Sequence, residues 1–223
     1  IKSYILILGA VSIIAGCIGT IYQKDLKQIV IFNIVISLGV MVCGTATLNT
    51  FGVKGALFYA VNDILLKAAL FIVVGLIIYV SGVKYLQKCG LINKYPLLGW
   101  TYFIIVLSLA GVPPFSGFYG KALIIKGLVT NNNTFIAILV ALSGLVVFYS
   151  LIRIFLNVFY DNINKSLILK PLPKGVQIPL IAIVAIALII GVSTNLLDGF
   201  FDKGIQMVLN PQHYIDLVLK KGA

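Results

Sequence analysis

The sequence contains no glutamate, one histidine, one arginine and one tryptophan in 223 residues. Charged side chains make up 10% of it, against roughly 25% in soluble domains. Such a shortage leaves too few charges to solvate a globular surface. The lone histidine, His213, has no histidine partner and lies near the C-terminus, so it reads as a solvated tail residue and not a metal ligand. Cys17, Cys43 and Cys89 form no CxxC pair and no metal spacing. Two of them sit inside apolar runs and read as small packing residues. There is no phosphate loop and no Ser/His/Asp set. These absences exclude the common catalytic constellations and imply no cofactor. The chemistry left open is the movement of charge, not the making of bonds.

What is abundant is apolar: 61% of the residues are hydrophobic. They recur in runs of about 20, long enough to cross a hydrocarbon layer of roughly 30 Å as helices rising 1.5 Å per residue. Short alternating strands of the β-barrel kind are not seen. The predicted fold class is therefore all-α, a polytopic transmembrane helix bundle of about six helices, one of them discontinuous. The net charge of +11 would suit nucleic acid, but the lysines are scattered between apolar runs instead of gathered on one polar face. No nucleic-acid partner is expected. The lipid bilayer is the expected partner, and the lysines are loop charges. The chain begins with Ile1, and residues 3–20 lack a basic start and an A-x-A cleavage site. They do not read as a signal peptide, and an upstream portion is expected to precede them.

The apolar segments fall at about 3–22, 28–48, 55–80, 98–129, 134–159 and 177–197. Residues 1–223 read as one transmembrane domain ending in a polar tail at 198–223. The segment at 98–129 is too long for a simple crossing and is interrupted at AGVPPFSGFYGK. Pro113 and Pro114 lack backbone donors and clash with the preceding turn. Gly111, Gly117 and Gly120 loosen the backbone there. Loop charge sets the expected orientation. Lys24, Lys27, Lys84, Lys88, Lys94, Arg153, Lys165, Lys170 and Lys174 fall on one side. Lys2, Lys54, Lys126, Lys203, Lys220 and Lys221 fall on the other. The excess places the first group in the cytoplasm and both termini outside.

Two lysines stand apart from the loops. Lys67 lies in VNDILLKAALF, with apolar residues on both sides for several turns. A central lysine costs roughly 3 kcal/mol on insertion scales. Asp63 precedes it by four residues, so the two share a helix face and can offset each other's cost. Asn62 adjoins the pair. Two readings are open: an ion pair that fixes packing, or a proton-relay station facing a wet cavity. Lys121 follows the break, where irregular backbone is tolerated only inside protein or beside water. It is either a partly hydrated proton carrier or a side chain that reaches the outer interface. Asn33, Ser37, Ser108, Ser116, Ser143 and Ser150 can hold water or bond between helices. Arg153 reads as an interface anchor, and Tyr4, Tyr95, Trp100 and Tyr160 as belt residues.

The stretches FYAVNDILLKAALFIVVG and SLAGVPPFSGFYGKALIIKG resemble the proton-pumping module shared by multisubunit cation/proton antiporters and respiratory complex I. GLINKYPLLGW and YSLIRIF resemble in particular the D-type component of Mrp (Mnh) Na⁺/H⁺ antiporters. The resemblance covers nearly the whole chain. It implies a fold of about fourteen helices with two inverted five-helix repeats, each containing a broken helix. This chain would supply the second repeat, about 3–160, and the final helix. Lys67 would match the family's central relay lysine, and Lys121 the terminal lysine beside the broken helix. Asn62 departs from the pattern, standing where many relatives carry a histidine. An amide holds water but does not titrate, so transfer there would need water or Asp63. The implied partners are other subunits of a hetero-oligomeric complex, protons, and Na⁺ or another monovalent cation, in a bacterial cell membrane. A proton-pumping subunit of an NADH-quinone oxidoreductase and an inactive scaffold bundle remain open beside the antiporter reading.

Overall fold

Asp25 and Asn49 show why the first helices begin where they do. In a computed structural model describing residues 2–113, 115–160, 169–173 and 175–192, each caps the helix that follows it. Asp25 Oδ1 accepts from the backbone amides of Lys27 at 2.8 Å and Gln28 at 3.3 Å. Asn49 Oδ1 accepts from Gly52 at 2.7 Å. These bonds satisfy amides that a helix start leaves without partners. They explain why two helices begin a few residues before the apolar runs that predict them. Side chains of residues 116 and 190–192 are outside the description, as are Pro114, Lys165, Lys174, His213 and the expected tail at 198–223.

Helix α1 runs Lys2–Tyr22, α2 Leu26–Ala46 and α3 Thr50–Ser81. A single 3-10 turn at Leu91–Asn93 leads to α4, Pro96–Ala110. Then come α5, Ser116–Thr130, and α6, Thr134–Ile154, which continues as a π turn over Phe155–Tyr160. Helix α7 is Gln177–Val192. The discontinuous segment expected at 98–129 is thus the pair α4 and α5. Among the described residues there is no strand, only an isolated bridge between Asp25 and Tyr85.

Among the described residues, four helices are long and apolar enough to cross a membrane: Lys2–Tyr22, Leu26–Ala46, Thr50–Ser81 and Thr134–Tyr160. At 1.5 Å per residue, the 32 residues of α3 make it about 48 Å long, well beyond a hydrocarbon core of about 30 Å. Its ends therefore project or the helix tilts.

Close backbone contact holds the bundle, as expected where lipid offers no hydrophobic drive between helices. A side chain at Gly39 would meet the Gly9 carbonyl oxygen at 2.7 Å and the Ile13 nitrogen at 2.9 Å, so α1 and α2 touch main chain to main chain. At Gly120 the obstacle is the Tyr59 backbone at 2.9 Å, which brings α5 onto α3. Tyr102, Phe103, Phe155 and Phe159 stack between α4 and the π turn, with ring centroids 5.1 to 6.4 Å apart. Leu180, Val184 and Ala187 bury one face of α7.

The loops gather at two opposite ends. At one, the Leu26 amide donates to Lys84 (3.0 Å), the Leu86 amide to Lys24 (2.9 Å) and the Lys94 ammonium to the Leu169 carbonyl (3.3 Å). At the other, Asn131 donates to the Thr47 carbonyl (2.6 Å), and the Lys126 ammonium lies 3.9 Å over the Phe51 ring. The two groups of loop lysines separated by sequence reading are therefore segregated at opposite ends, as far as the described residues reach.

Candidate functional site

Tyr59, Asp63 and Lys67 follow each other at intervals of four on α3, which stacks them along one helix face. That face is turned inward: Tyr59 is 2% exposed, Asp63 4% and Lys67 7%. Lys67 Nζ lies 2.8 Å from Asp63 Oδ2 and donates to the Asn33 carbonyl of α2 at 2.9 Å. Asp63 Oδ1 accepts from the Ser37 hydroxyl at 2.9 Å. Ser37 has a single hydrogen and gives it to the carboxylate. The Tyr59 hydroxyl, 3.1 Å away, is then the donor to Ser37.

The polar line continues across the bundle. Asn33 Nδ2 shares its two hydrogens among the Ile29 carbonyl (2.8 Å), Thr20 Oγ1 (3.1 Å) and Ser150 Oγ (3.2 Å), joining α2 to α1 and α6. A buried polar group without a partner costs on the order of 1–3 kcal/mol, and this network supplies partners within the described helices.

The second ammonium sits at the helix break. Helix α4 ends on Gly111, held at φ +81°, a left-handed conformation natural to glycine. The Gly111 amide donates to Ser108 at 3.2 Å and the Val112 amide to Leu107 at 3.1 Å. This is the Schellman arrangement, which satisfies two of the four carbonyls left over at a helix C-terminus. The other two belong to Leu109 and Ala110. Lys121 Nζ donates to both, at 3.0 and 2.9 Å. One side chain on α5 thus completes the end of α4, where the helix dipole favours positive charge.

Lys121 is 6% exposed, so it turns into the break and does not reach an outer surface. Its ammonium lies 5.6 Å from the Tyr59 ring, within cation–π range. Lys67, Asp63, Ser37, Tyr59 and Lys121 therefore form one chain of contacts between the two ammonium groups. A cleft of about 590 Å³ borders Lys121 beside Ala110, Gly111, Pro113, Gly144 and Phe148. Among the described residues, Lys121 is its one charged lining side chain.

The other expected site residues group here as well. Asn62 is 3% exposed and faces the break: a side chain at Gly117 would come within 3.5 Å of its amide nitrogen and would collide with the Ser108 carbonyl oxygen. Gly117 lets α5 start directly against the last turn of α4, and Pro113 lies in the connecting turn. Pro114 is outside the described residues. Ser108 is fully buried, and its hydroxyl has no partner among the described residues. Among those residues no cluster of three or more His, Cys, Asp or Glu side chains exists to hold a metal.

Sequence reading passed over Tyr59 and Thr20. Tyr59 was findable, because it extends the Asp63–Lys67 interval by one more turn. Thr20 carried no such signal. Arg153, expected as an interface anchor, donates to the Ile21 carbonyl at 2.9 Å and to Gln23, closing the end of α1. Trp100, Tyr4 and Tyr160 are exposed on the bundle exterior, whereas Tyr95 donates its hydroxyl to the Lys170 carbonyl at 2.8 Å.

A bundle of long apolar helices, one helix broken in two and an ion pair shut inside defines a polytopic membrane protein with a charged interior. Comparison with known proteins gives the family. The family described as "NADH:quinone oxidoreductase/Mrp antiporter, TM" matches residues 1–147, and the chain belongs to it. The D-type component of the Na⁺/H⁺ antiporter of Bacillus subtilis (strain 168) is 37% identical over 220 residues, covering 96% of this chain and 44% of the relative. The chain thus spans rather less than half the length of that curated relative. A chain of the Mrp complex from Dietzia sp. DQ12-45-1b has the same fold, with a TM-score of 0.90 at 20% identity over 98% of this chain and 49% of that one. Respiratory complex I from Thermus thermophilus contains a chain with a TM-score of 0.81 at 23% identity, covering 93% and 43%.

Proposed function

We propose that this chain is the proton-carrying second half of a subunit in a hetero-oligomeric Na⁺/H⁺ antiporter of a bacterial cell membrane. In this reading α1 to α6 form one five-segment repeat, α7 is the terminal helix, and Lys67 and Lys121 carry protons in turn. The observation that supports it most is the placement of two ammonium groups inside the bundle, each held by acceptors that outlast its proton. A carboxylate and a carbonyl hold Lys67, and two carbonyls hold Lys121. Burying such charges costs several kcal/mol, and a packing role alone is served as well by apolar side chains of similar volume.

A lysine relay works by stepwise electrostatics. Protonating one station raises the cost of charge at the next, so occupancy passes along a chain of coupled sites. Asp63 holds the first station through its ion pair with Lys67. The membrane potential drives the traffic with about 2.3 kcal/mol per charge per 100 mV. The name of the Bacillus relative, at 37% identity, favours antiport over quinone-linked pumping, because the complex I likeness carries fold alone. The test is Lys67→Ala in the complete subunit, assembled with its partners and reconstituted in vesicles. Sodium-dependent proton exchange is expected to disappear while assembly survives. Normal exchange in assembled complexes would remove Lys67 from the mechanism.

A further inference from the structure

The carbonyls of Leu109 and Ala110 hold a positive charge that is tethered to α5 through Lys121, and nothing in their chemistry requires that charge to be an ammonium. We propose that they form a monovalent-cation site in which Na⁺ and the protonated Lys121 exclude each other. The proposal rests on the antiport reading above and deepens it by naming where the cation meets the proton.

Three observations carry it. First, the bookkeeping at the end of α4 is complete only while Lys121 donates. Leu107 and Ser108 accept from Val112 and Gly111, leaving the Leu109 and Ala110 carbonyls to the ammonium at 3.0 and 2.9 Å. When the ammonium gives up its proton it loses its charge, and the negative end of a buried half-helix is left without a cation. Half-helix C-termini and unwound carbonyls are the oxygen donors that membrane proteins offer to small cations. Second, the Ser108 hydroxyl, in the same last turn, is fully buried and has no partner among the described residues. Third, the cleft of about 590 Å³ borders Ala110, Gly111 and Lys121, so there is space beside the carbonyls that the Lys67 pair does not occupy.

Among the described residues the charged groups near Lys121 come from α3. From α3 come the Tyr59 ring at 5.6 Å and, one and two turns further along the same face, Asp63 and Lys67. Helix α4 contributes the Leu109 and Ala110 carbonyls, and a side chain at Gly144 of α6 would come within 3.4 Å of Nζ. Neither α4 nor α7 contains a charged residue within its described span. Titration of this site is therefore that of Lys121 under the influence of the Asp63–Lys67 pair. Competition between one proton and one cation makes each weaken the other by the same factor.

The experiment measures NaCl binding by isothermal titration to the complete subunit in its assembled complex, with choline chloride holding ionic strength. Sodium affinity should fall by about tenfold for each unit of falling pH while Lys121 is protonated. Lys121→Ala should flatten this pH dependence and keep sodium binding at low pH. Lys121→Arg, whose charge is permanent, should abolish binding at the site at every pH and preserves the cap should the alanine variant fail to fold. Sodium binding that is absent from the unaltered complex, or unchanged in pH profile by Lys121→Ala, or unaffected by Lys121→Arg, overturns the proposal. Loss of exchange in Lys67→Ala with sodium profiles that ignore both Lys121 variants would sink this site and leave the relay standing. Normal exchange in Lys67→Ala with the expected profiles would do the reverse.

Discussion

Removing one member of the Asp63–Lys67 pair should be far worse than removing both. The two side chains meet at 2.8 Å and are 6% and 9% exposed, so solvent screening discounts little of their attraction. Asp63→Leu strands an ammonium that keeps only the Asn33 carbonyl at 2.9 Å. Lys67→Met strands a carboxylate that keeps only the Ser37 hydroxyl at 2.9 Å. Breaking a buried pair in this way costs about 3–5 kcal/mol, whereas replacing both partners with apolar groups is close to neutral. The double variant leaves Ser37 bonded to Tyr59 and should lie within about 1 kcal/mol of the unaltered protein. The coupling energy of the cycle should therefore be about 5 kcal/mol or more. The assay is reversible unfolding of the complete subunit in mixed micelles, with sodium-dependent proton exchange recorded on the same four proteins. All three variants should be silent in exchange, although the double variant is stable. Additive losses of stability would refute the ion-pair reasoning. Exchange by the double variant would refute the relay.

Other substitutions test the break and the helix ends. Gly117→Ala drives a methyl carbon into the Ser108 carbonyl oxygen. It should separate α4 from α5, lower stability by about 1–3 kcal/mol and abolish exchange. Gly75→Ala, on the same kind of thermal unfolding curve, should be neutral or stabilising by up to about 1 kcal/mol, since no described atom lies within 4 Å of its position. A cost at Gly75 equal to that at Gly117 would show that packing at the break is not special. Arg153→Ala removes the guanidinium that closes α1 at Ile21 and Gln23. It should raise amide hydrogen exchange in the last turn of α1 and cost about 1–3 kcal/mol, with Arg153→Lys recovering part of both.

Much of this architecture was legible one residue at a time. The length of each apolar run gave the crossings, because a helix rises by a fixed increment and a bilayer has a fixed thickness. The pairing of Asp63 with Lys67 followed from an interval of four, and the break from prolines that donate no backbone hydrogen. Capping explains the displaced starts of α2 and α3: Asp25 and Asn49 lie outside the apolar runs, and hydropathy does not count them.

What no run or interval specified is which neighbour each inward side chain meets. Apart from α3, whose Asp63–Lys67 face marks its inward side, these helices are nearly apolar all round, so little polar pattern reveals how each is rotated about its axis. The backbone approach at glycines such as Gly39 and Gly120 sets that rotation, and it exists only when two helices are side by side. The tertiary structure therefore decided that Lys67 reaches the Asn33 carbonyl, that Ser37 and Tyr59 join the carboxylate, and that Lys121 closes the end of α4. Periodicity fixes what shares a face of one helix, whereas packing alone fixes what lies across from it.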